Sequence, residues 1–253
     1  MTADFPEKLT AWTMITFAVS LGGASMVAFT IFLFAGPFGM IKLDMSLLGD
    51  VATNTGLSLL FFVQHSGMVR QSFKRRLVRF VPEHYFGASY SIVSSIVLLA
   101  VVLVWQESEQ VIANATGVWW WVARTLFVLA VGGVIWGALA LNGFDSLGLK
   151  PIQNRFRPSA PRSSTLAVRG PYRWVRHPLY FFVLLMIWSY PSLTVDRVLF
   201  NVLWTLWIFI GSVLEERDLV AEFSDRYREY QRNVPMLIPN HIAGWIDPAD
   251  DPE

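Results

Sequence analysis

The sequence predicts an all-α, polytopic integral membrane helical bundle of five or six spans with a cytoplasmic C-terminal helix, and three observations carry that prediction. Hydrophobic residues make up 54% of the 253-residue chain and charged residues only 15%, too little polar surface to cover a soluble globule of this length; mean hydropathy is +0.44. Apolar runs long enough to cross a bilayer recur along the chain. Lys and Arg gather in alternate connections between those runs, the distribution that marks the cytoplasmic side of a membrane.

The first apolar run covers about 13 to 35; a signal peptide has a similar look, but the spans that follow favour an uncleaved first helix. The second, about 51 to 69, carries Asn54, Gln64 and His65, as suits a helix packed inside a bundle. The third and fourth, about 85 to 106 and 119 to 141, are the clearest. Gly133 and Gly137 form a small-xxx-small pair on the fourth, a signal for close packing on a neighbouring helix. From 178 to 214 the chain is apolar again, interrupted by Pro191-Ser192-Leu193-Thr194-Val195-Asp196-Arg197. This reads as a helical hairpin whose first limb, about 14 residues at about 1.5 Å each, is short for a full crossing, which leaves open whether its tip stops inside the membrane or the hairpin fully spans. Two regions follow: an N-terminal transmembrane bundle over 1–150, and over 151–253 a cytoplasmic loop, the hairpin and a C-terminal helix.

Arg70, Lys74, Arg75, Arg76 and Arg79 follow the second span, and Lys150, Arg155, Arg157, Arg162, Arg169, Arg173 and Arg176 follow the fourth. The intervening connections hold Lys42 alone and, between 107 and 118, no basic residue. Alternating crossings then put the N-terminus, both basic connections and everything after 214 in the cytoplasm. A net charge of +1 gives no footprint for nucleic acid. With no Cys, the chain offers no disulfide, thiolate metal site or cysteine nucleophile, so thiol chemistry must happen on a substrate. Its four His residues are scattered, with no carboxylate at ligand spacing, so no metal site is expected. The Pro-, Ser- and Arg-rich stretch from Arg155 to Arg169 reads either as a linker or as a loop that orders over a ligand. The acidic tail after Asn240 reads as solvated.

Two constellations at the cytoplasmic end carry chemistry. In Arg173-Trp174-Val175-Arg176-His177-Pro178 the proline starts a helix and biases His177 out of helical geometry, into the cap position. Free N–H groups, the positive end of a helix dipole and arginines then meet, an arrangement suited to a carboxylate or phosphate; positive-inside anchoring explains the arginines equally. In the second, a single helix over 214 to 230 at about 100° per residue gathers Leu219, Val220, Phe223, Tyr227 and Tyr230 on one face. Glu216 projects into the middle of that face and Glu215 lies on its rim. A carboxylate amid apolar side chains must be paired or used, so Glu216 either meets a loop arginine or receives a cationic ligand.

Arg176-His177-Pro178-Leu179-Tyr180, the hairpin, Glu215-Glu216-Arg217-Asp218-Leu219 and the run through Phe223, Tyr227 and Tyr230 to Pro235 and Pro239 resemble the isoprenylcysteine carboxyl methyltransferase superfamily of membrane methyltransferases. Upstream, Gln64-His65-Ser66 and Asn142-Gly143-Phe144-Asp145-Ser146-Leu147-Gly148-Leu149 resemble its bacterial methanethiol S-methyltransferase branch, which is grouped with NnrU-like proteins. NnrU proteins are expected to share the first half and the Arg-His-Pro but not the Glu-Glu segment. The resemblance implies S-adenosylmethionine as cofactor and methylation of methanethiol to dimethyl sulfide in a bacterial inner membrane, with the active site facing the cytoplasm. It implies cofactor contacts from Arg173, Arg176, His177, Pro178, Tyr180, Glu215, Glu216 and Tyr227. His177, Glu216 and His65 are the candidate catalytic residues, as acceptors of the thiol proton. The partners implied are a small-molecule thiol and the lipid bilayer. Two positions depart from the superfamily pattern: Phe182 stands where Gly is frequent, which predicts a smaller pocket, and Ser224 stands where Gly follows Phe. A carboxyl methyltransferase of prenylated cysteine and a non-enzymatic NnrU-like membrane protein are the alternatives.

Overall fold

A computed structural model describes residues 5–141, 145–156, 166 and 168–240. Asn142, Gly143 and Phe144, most of the 155–169 stretch and the tail after Asn240 therefore lie outside the described residues. The chain forms two compact units, Met1–Glu109 with Asp145–Arg162, and Gln110–Phe144 with Ser163–Glu253.

The first unit contains α1 (Phe5–Ala35), α2 (Leu47–Val69), α3 (Gln71–Leu77), α4 (Phe86–Val104) and, from the later segment, α6 (Lys150–Phe156). The buried positions of α4 include Ala88, Ser91, Ser95, Leu98 and Val102, stepping by three and four along one face, and α1 answers with Ala11, Ala18, Gly22 and Ser25. Small residues on both faces let the two backbones approach, which is how apolar helices associate where lipid supplies no hydrophobic drive. Asn54, buried on α2, is bonded through both ends of its amide: its Nδ2 donates to the Gln106 carbonyl at 2.7 Å and its Oδ1 accepts from the Gln106 N–H at 2.8 Å. The Asp145-Ser146-Leu147-Gly148 segment is structural. Asp145 accepts the Leu149 and Lys150 N–H groups at 2.8 Å, capping α6. Gly148 rests on Gly87, where a Cβ on either would fall within 3 Å of the other's backbone.

The second unit contains β1 (Val111–Asn114), α5 (Val118–Ala140), α7 (Pro178–Trp188), β2 (Ser192–Thr194) and α8 (Val195–Asn233). Gly133 and Gly137 do mark a close contact, and the neighbour is α7: the Phe182 ring covers Gly133 and Leu179 covers Gly137. Phe182 thus packs into a notch of α5. At 11 residues, α7 is shorter still than the sequence suggested, but beyond the turn at Ser189 β2 pairs antiparallel with β1, Val111 opposite Thr194 and Ala113 opposite Leu193. The hairpin tip therefore reaches the connection ahead of α5.

Among the described residues, four helical segments are long and apolar enough to cross a membrane: Phe5–Ala35, Glu83–Val104, Val118–Ala140 and Val195–Asn233. The 23-residue α2, with its polar groups, and the short apolar α7 bring the apolar helices to six. In α8 the apolar stretch ends at Leu214, and polar residues dominate from Glu215. The expected single helix over 214 to 230 is broken. Ser224 has φ 52° and ψ −123°, a left-handed conformation that glycine adopts without strain and serine does not.

Candidate active site

The site forms because α8 doubles back at Ser224. In an unbroken helix Glu216 and Gln231 would stand about 22 Å apart along the axis, yet Gln231 Nε2 donates to Glu216 Oε2 at 2.8 Å. Between the two limbs lies the Arg-His-Pro segment. Arg176 Nε donates to Glu216 Oε1 at 2.5 Å, and Arg176 Nη1 donates to the carbonyls of Gln231, at 3.0 Å, and Val234. Main-chain bonds extend the seam: Arg176 N–H to the Pro235 carbonyl at 2.9 Å and His177 N–H to the Met236 carbonyl at 3.1 Å. The Tyr230 hydroxyl donates to the Tyr172 carbonyl and closes the other side.

This construction encloses a cavity of about 400 Å³, within the range of small-molecule sites. Leu141, Leu166, Leu179, Leu219 and Phe223 make its apolar walls; Tyr172, Arg176, His177, Tyr180, Glu215, Tyr227 and Tyr230 supply the polar groups. His177 precedes α7 at φ −120° and ψ 66°, as the following proline requires, and its side chain bonds to no helix N–H. Its ring stacks on Tyr180 at 5.5 Å between centroids. Nε2 approaches Glu216 Oε1 to 3.3 Å without the alignment of a hydrogen bond, so this buried nitrogen has no hydrogen-bond partner among the described residues. Nδ1 lies 3.8 Å from Glu215 Oε2, the oxygen that accepts the Tyr180 hydroxyl at 2.9 Å.

The two adjacent glutamates differ. Glu216 is 8% exposed and stands behind the cavity wall. Burial works to raise its pKa, but the groups of His177, Arg176 and Gln231 around it outweigh burial and hold the carboxyl down at about 2. The choice between a paired and a ligand-binding Glu216 thus resolves, in the structure's geometry, toward a pair with Arg176. Glu215, with its side chain 46% exposed, faces the cavity. Burial also raises the pKa of Tyr172, Tyr227 and Tyr230, keeping those phenols neutral.

Of the residues the sequence singled out, Arg176, His177, Tyr180, Glu215 and Tyr227 line the cavity together, with Glu216 directly behind them. Arg173 and Pro178 are not among its walls, and neither is Phe182, whose ring is spent on Gly133; the narrowing expected from that residue does not arise. His65 belongs to the first unit, where the Tyr90 hydroxyl lies 2.9 Å from Nε2 and the Phe61 ring lies tilted against it at 5.1 Å between centroids. Sequence reasoning missed Gln231 and Tyr172. On a continuous helix Gln231 is far from Glu216, and the signal that could have found it was Ser224, which departs from the Phe-Gly that the superfamily resemblance leads one to expect there. Among the described residues no group of three or more His, Asp or Glu could hold a metal ion.

A helical membrane protein whose cavity sits between an Arg-His-Pro segment and a doubled-back helix bearing paired glutamates is the class these features define. The chain belongs to the NnrU family, matching the family described as NnrU protein over residues 55–230. That match runs on through Glu215 and Glu216, where it was expected to stop short of them. The chain is 36% identical over 203 residues, 78% of its length and 74% of the relative's, to a methanethiol S-methyltransferase of Pseudomonas deceptionensis. It is 33% identical over 195 residues, 75% and 78% of the two lengths, to a methanethiol S-methyltransferase of Mycobacterium tuberculosis. To Nurim of Rattus norvegicus it is 28% identical over 201 residues, 74% and 75% of the two lengths. No solved structure matches it.

Proposed function

We propose that this protein is an integral membrane S-methyltransferase that uses S-adenosylmethionine to convert methanethiol to dimethyl sulfide, from a cavity facing the cytoplasm of a bacterial inner membrane. The observation that carries the reading is convergence: segments far apart in sequence, each matching a methyltransferase pattern, line one cavity, in a chain one-third identical to proteins named for that activity. The cavity fits such a cofactor on its own chemistry. The His177 ring, whose Nε2 makes no hydrogen bond among the described residues, the half-exposed carboxylate of Glu215 with the Tyr180 hydroxyl on it, and the leucine and phenylalanine walls together offer polar anchors and an apolar bed.

Glu215 and Tyr180 suit an ammonium or ribose hydroxyls, and the rings of Tyr172, Tyr227 and Phe223 suit a purine. Bound there, S-adenosylmethionine supplies an electrophilic methyl group on a sulfonium. The chain's part is to hold a thiol against that group, to exclude water with Leu141, Leu166, Leu179 and Leu219, and to accept the thiol proton, since the thiolate is the stronger nucleophile. His177 is the acceptor of choice. Glu216, held at about 2 and already ion-paired, is a poor base at neutral pH, and its role is structural support of Arg176 and His177. His65 takes no step in this scheme.

Headspace gas chromatography of cells expressing the chain and supplied with methanethiol tests the proposal, with His177→Ala as comparison. Dimethyl sulfide from the wild type and at least about tenfold less from the variant is the expected result. Its absence from wild-type cells whose membranes contain the protein would reject the reading.

A further inference from the structure

We infer that Gln231 is a positioning residue of this site, one that sets how tightly the cavity holds its cofactor by bracing Glu216 from outside the cavity; the inference rests on the methyltransferase reading. Each oxygen of the Glu216 carboxylate is held from a different segment, Oε1 by Arg176 and Oε2 by Gln231. Residue 231 is bound twice, its amide to the acid and its carbonyl to the Arg176 guanidinium. Arg176 and His177 are walls of the cavity while Glu216 and Gln231 are not. The brace thus acts on the walls alone: a Glu216 freed on one side loosens its hold on Arg176. Arg176 and His177 are themselves pinned by main-chain bonds to Pro235 and Met236, just beyond Gln231. A buried carboxylate stripped of one donor reorients to recover it, because an unsatisfied buried charge is costly. The titratable groups around Glu216 are Arg176 and His177 ahead of α7, its neighbour Glu215, and Tyr227 and Tyr230 past the break.

The test uses the purified full-length protein in detergent, with Gln231→Ala and Gln231→Glu beside the wild type, and S-adenosylhomocysteine as the calorimetric probe at pH 5.5 and 8. Gln231→Ala should bind it about tenfold more weakly than wild type at both values. Gln231→Glu puts a second carboxyl against Glu216, and like charges so close raise one pKa strongly. At pH 8 that variant should bind about tenfold more weakly or worse, and at pH 5.5 the shared proton restores a donor and with it affinity within about twofold of wild type. Recovery at the lower pH in the same preparation excludes misfolding.

A second readout needs no ligand. The introduced carboxyl has a folded pKa above its unfolded value, so its favourable state is present at low pH and lost as pH rises; the Tm of Gln231→Glu should fall relative to wild type between pH 5.5 and 8, and that of Gln231→Ala should not. Wild-type affinity in both variants with no pH-dependent Tm difference overturns the inference while leaving the methyltransferase reading intact. A wild type that binds no S-adenosylhomocysteine overturns both.

Discussion

Glu215 and Glu216 are adjacent on α8, yet one faces the cavity and the other closes a buried ion pair with Arg176 at 2.5 Å. Replacing Glu216 by Gln removes the charge and leaves Arg176 buried without its counter-ion, a change that typically costs about 3–5 kcal/mol. Glu216→Gln should therefore lower thermal stability and reduce methyl transfer strongly while the protein still inserts in the membrane; wild-type dimethyl sulfide output from that variant would remove Glu216 from the site's support. Its titration gives a second check. Because the folded pKa, about 2, lies below the ordinary value of 4.5, the pair's contribution is fully present above about pH 4.5 and drains away as pH falls toward 2. Wild-type Tm should drop across that window, and Glu216→Gln should show a shallower drop in differential scanning fluorimetry from pH 6 to 2.5. Equal slopes would mean that Glu216 is not held down by its partners.

At the scale of elements, two local geometries make the site possible. Ser224 sits at positive φ where α8 reverses, a conformation that costs a non-glycine residue on the order of 1–3 kcal/mol. Ser224→Gly should raise Tm, by an amount equivalent to about 1 kcal/mol, with the cavity unchanged; a lower Tm would show that the serine is not strained there. Gly133 makes the opposite demand. A Cβ at that position would fall 2.3 Å from the Phe182 ring, so Gly133→Ala should destabilise by about 1–3 kcal/mol, and adding Phe182→Leu should recover much of the loss. Strict additivity of the two changes would mean that the ring does not occupy that notch. These geometries also divide what the sequence disclosed from what it hid. Helix positions were legible because a run of apolar residues near twenty has few other fates, and the pairing of Gly133 and Gly137 with a neighbour followed from their spacing. Leu219, Phe223, Tyr227 and Tyr230 were rightly grouped, but as the face of one rod; they line the cavity from both sides of a break. A helical wheel carries no information about a reversal: on one continuous rod Gln231 lies about four turns from Glu216 along the axis, so their contact was invisible. The pairing of 235–236 with the Arg-His-Pro segment was hidden for the same reason, being made by main-chain atoms that no side-chain pattern encodes.

At the scale of the whole molecule, the charge distribution supports the proposed assignment of connections to compartments. Arg70, Arg75, Arg76 and Arg79 are exposed beside α3, whereas the connection bearing β1 exposes Glu109, Val111 and Ala113 and contains no Lys or Arg. Basic connections are retained in the cytoplasm, so the proposed topology puts α3 inside and β1 outside. The hairpin of α7 and α8 obeys the same assignment from its own geometry: β2 at its tip pairs with β1, while Arg176 and Glu216 at its base meet each other. On that proposed topology the cavity opens on the cytoplasmic side, where the proposed cofactor is supplied. Because the chain has no cysteine, single substitutions report the topology without any background. A cysteine at Ala113 should react with a membrane-impermeant maleimide in intact cells. One at Arg75 should react only after the membrane is opened. The reverse pattern would place the cavity on the outer side, away from any supply of the cofactor, and would reject the proposed reaction together with the orientation.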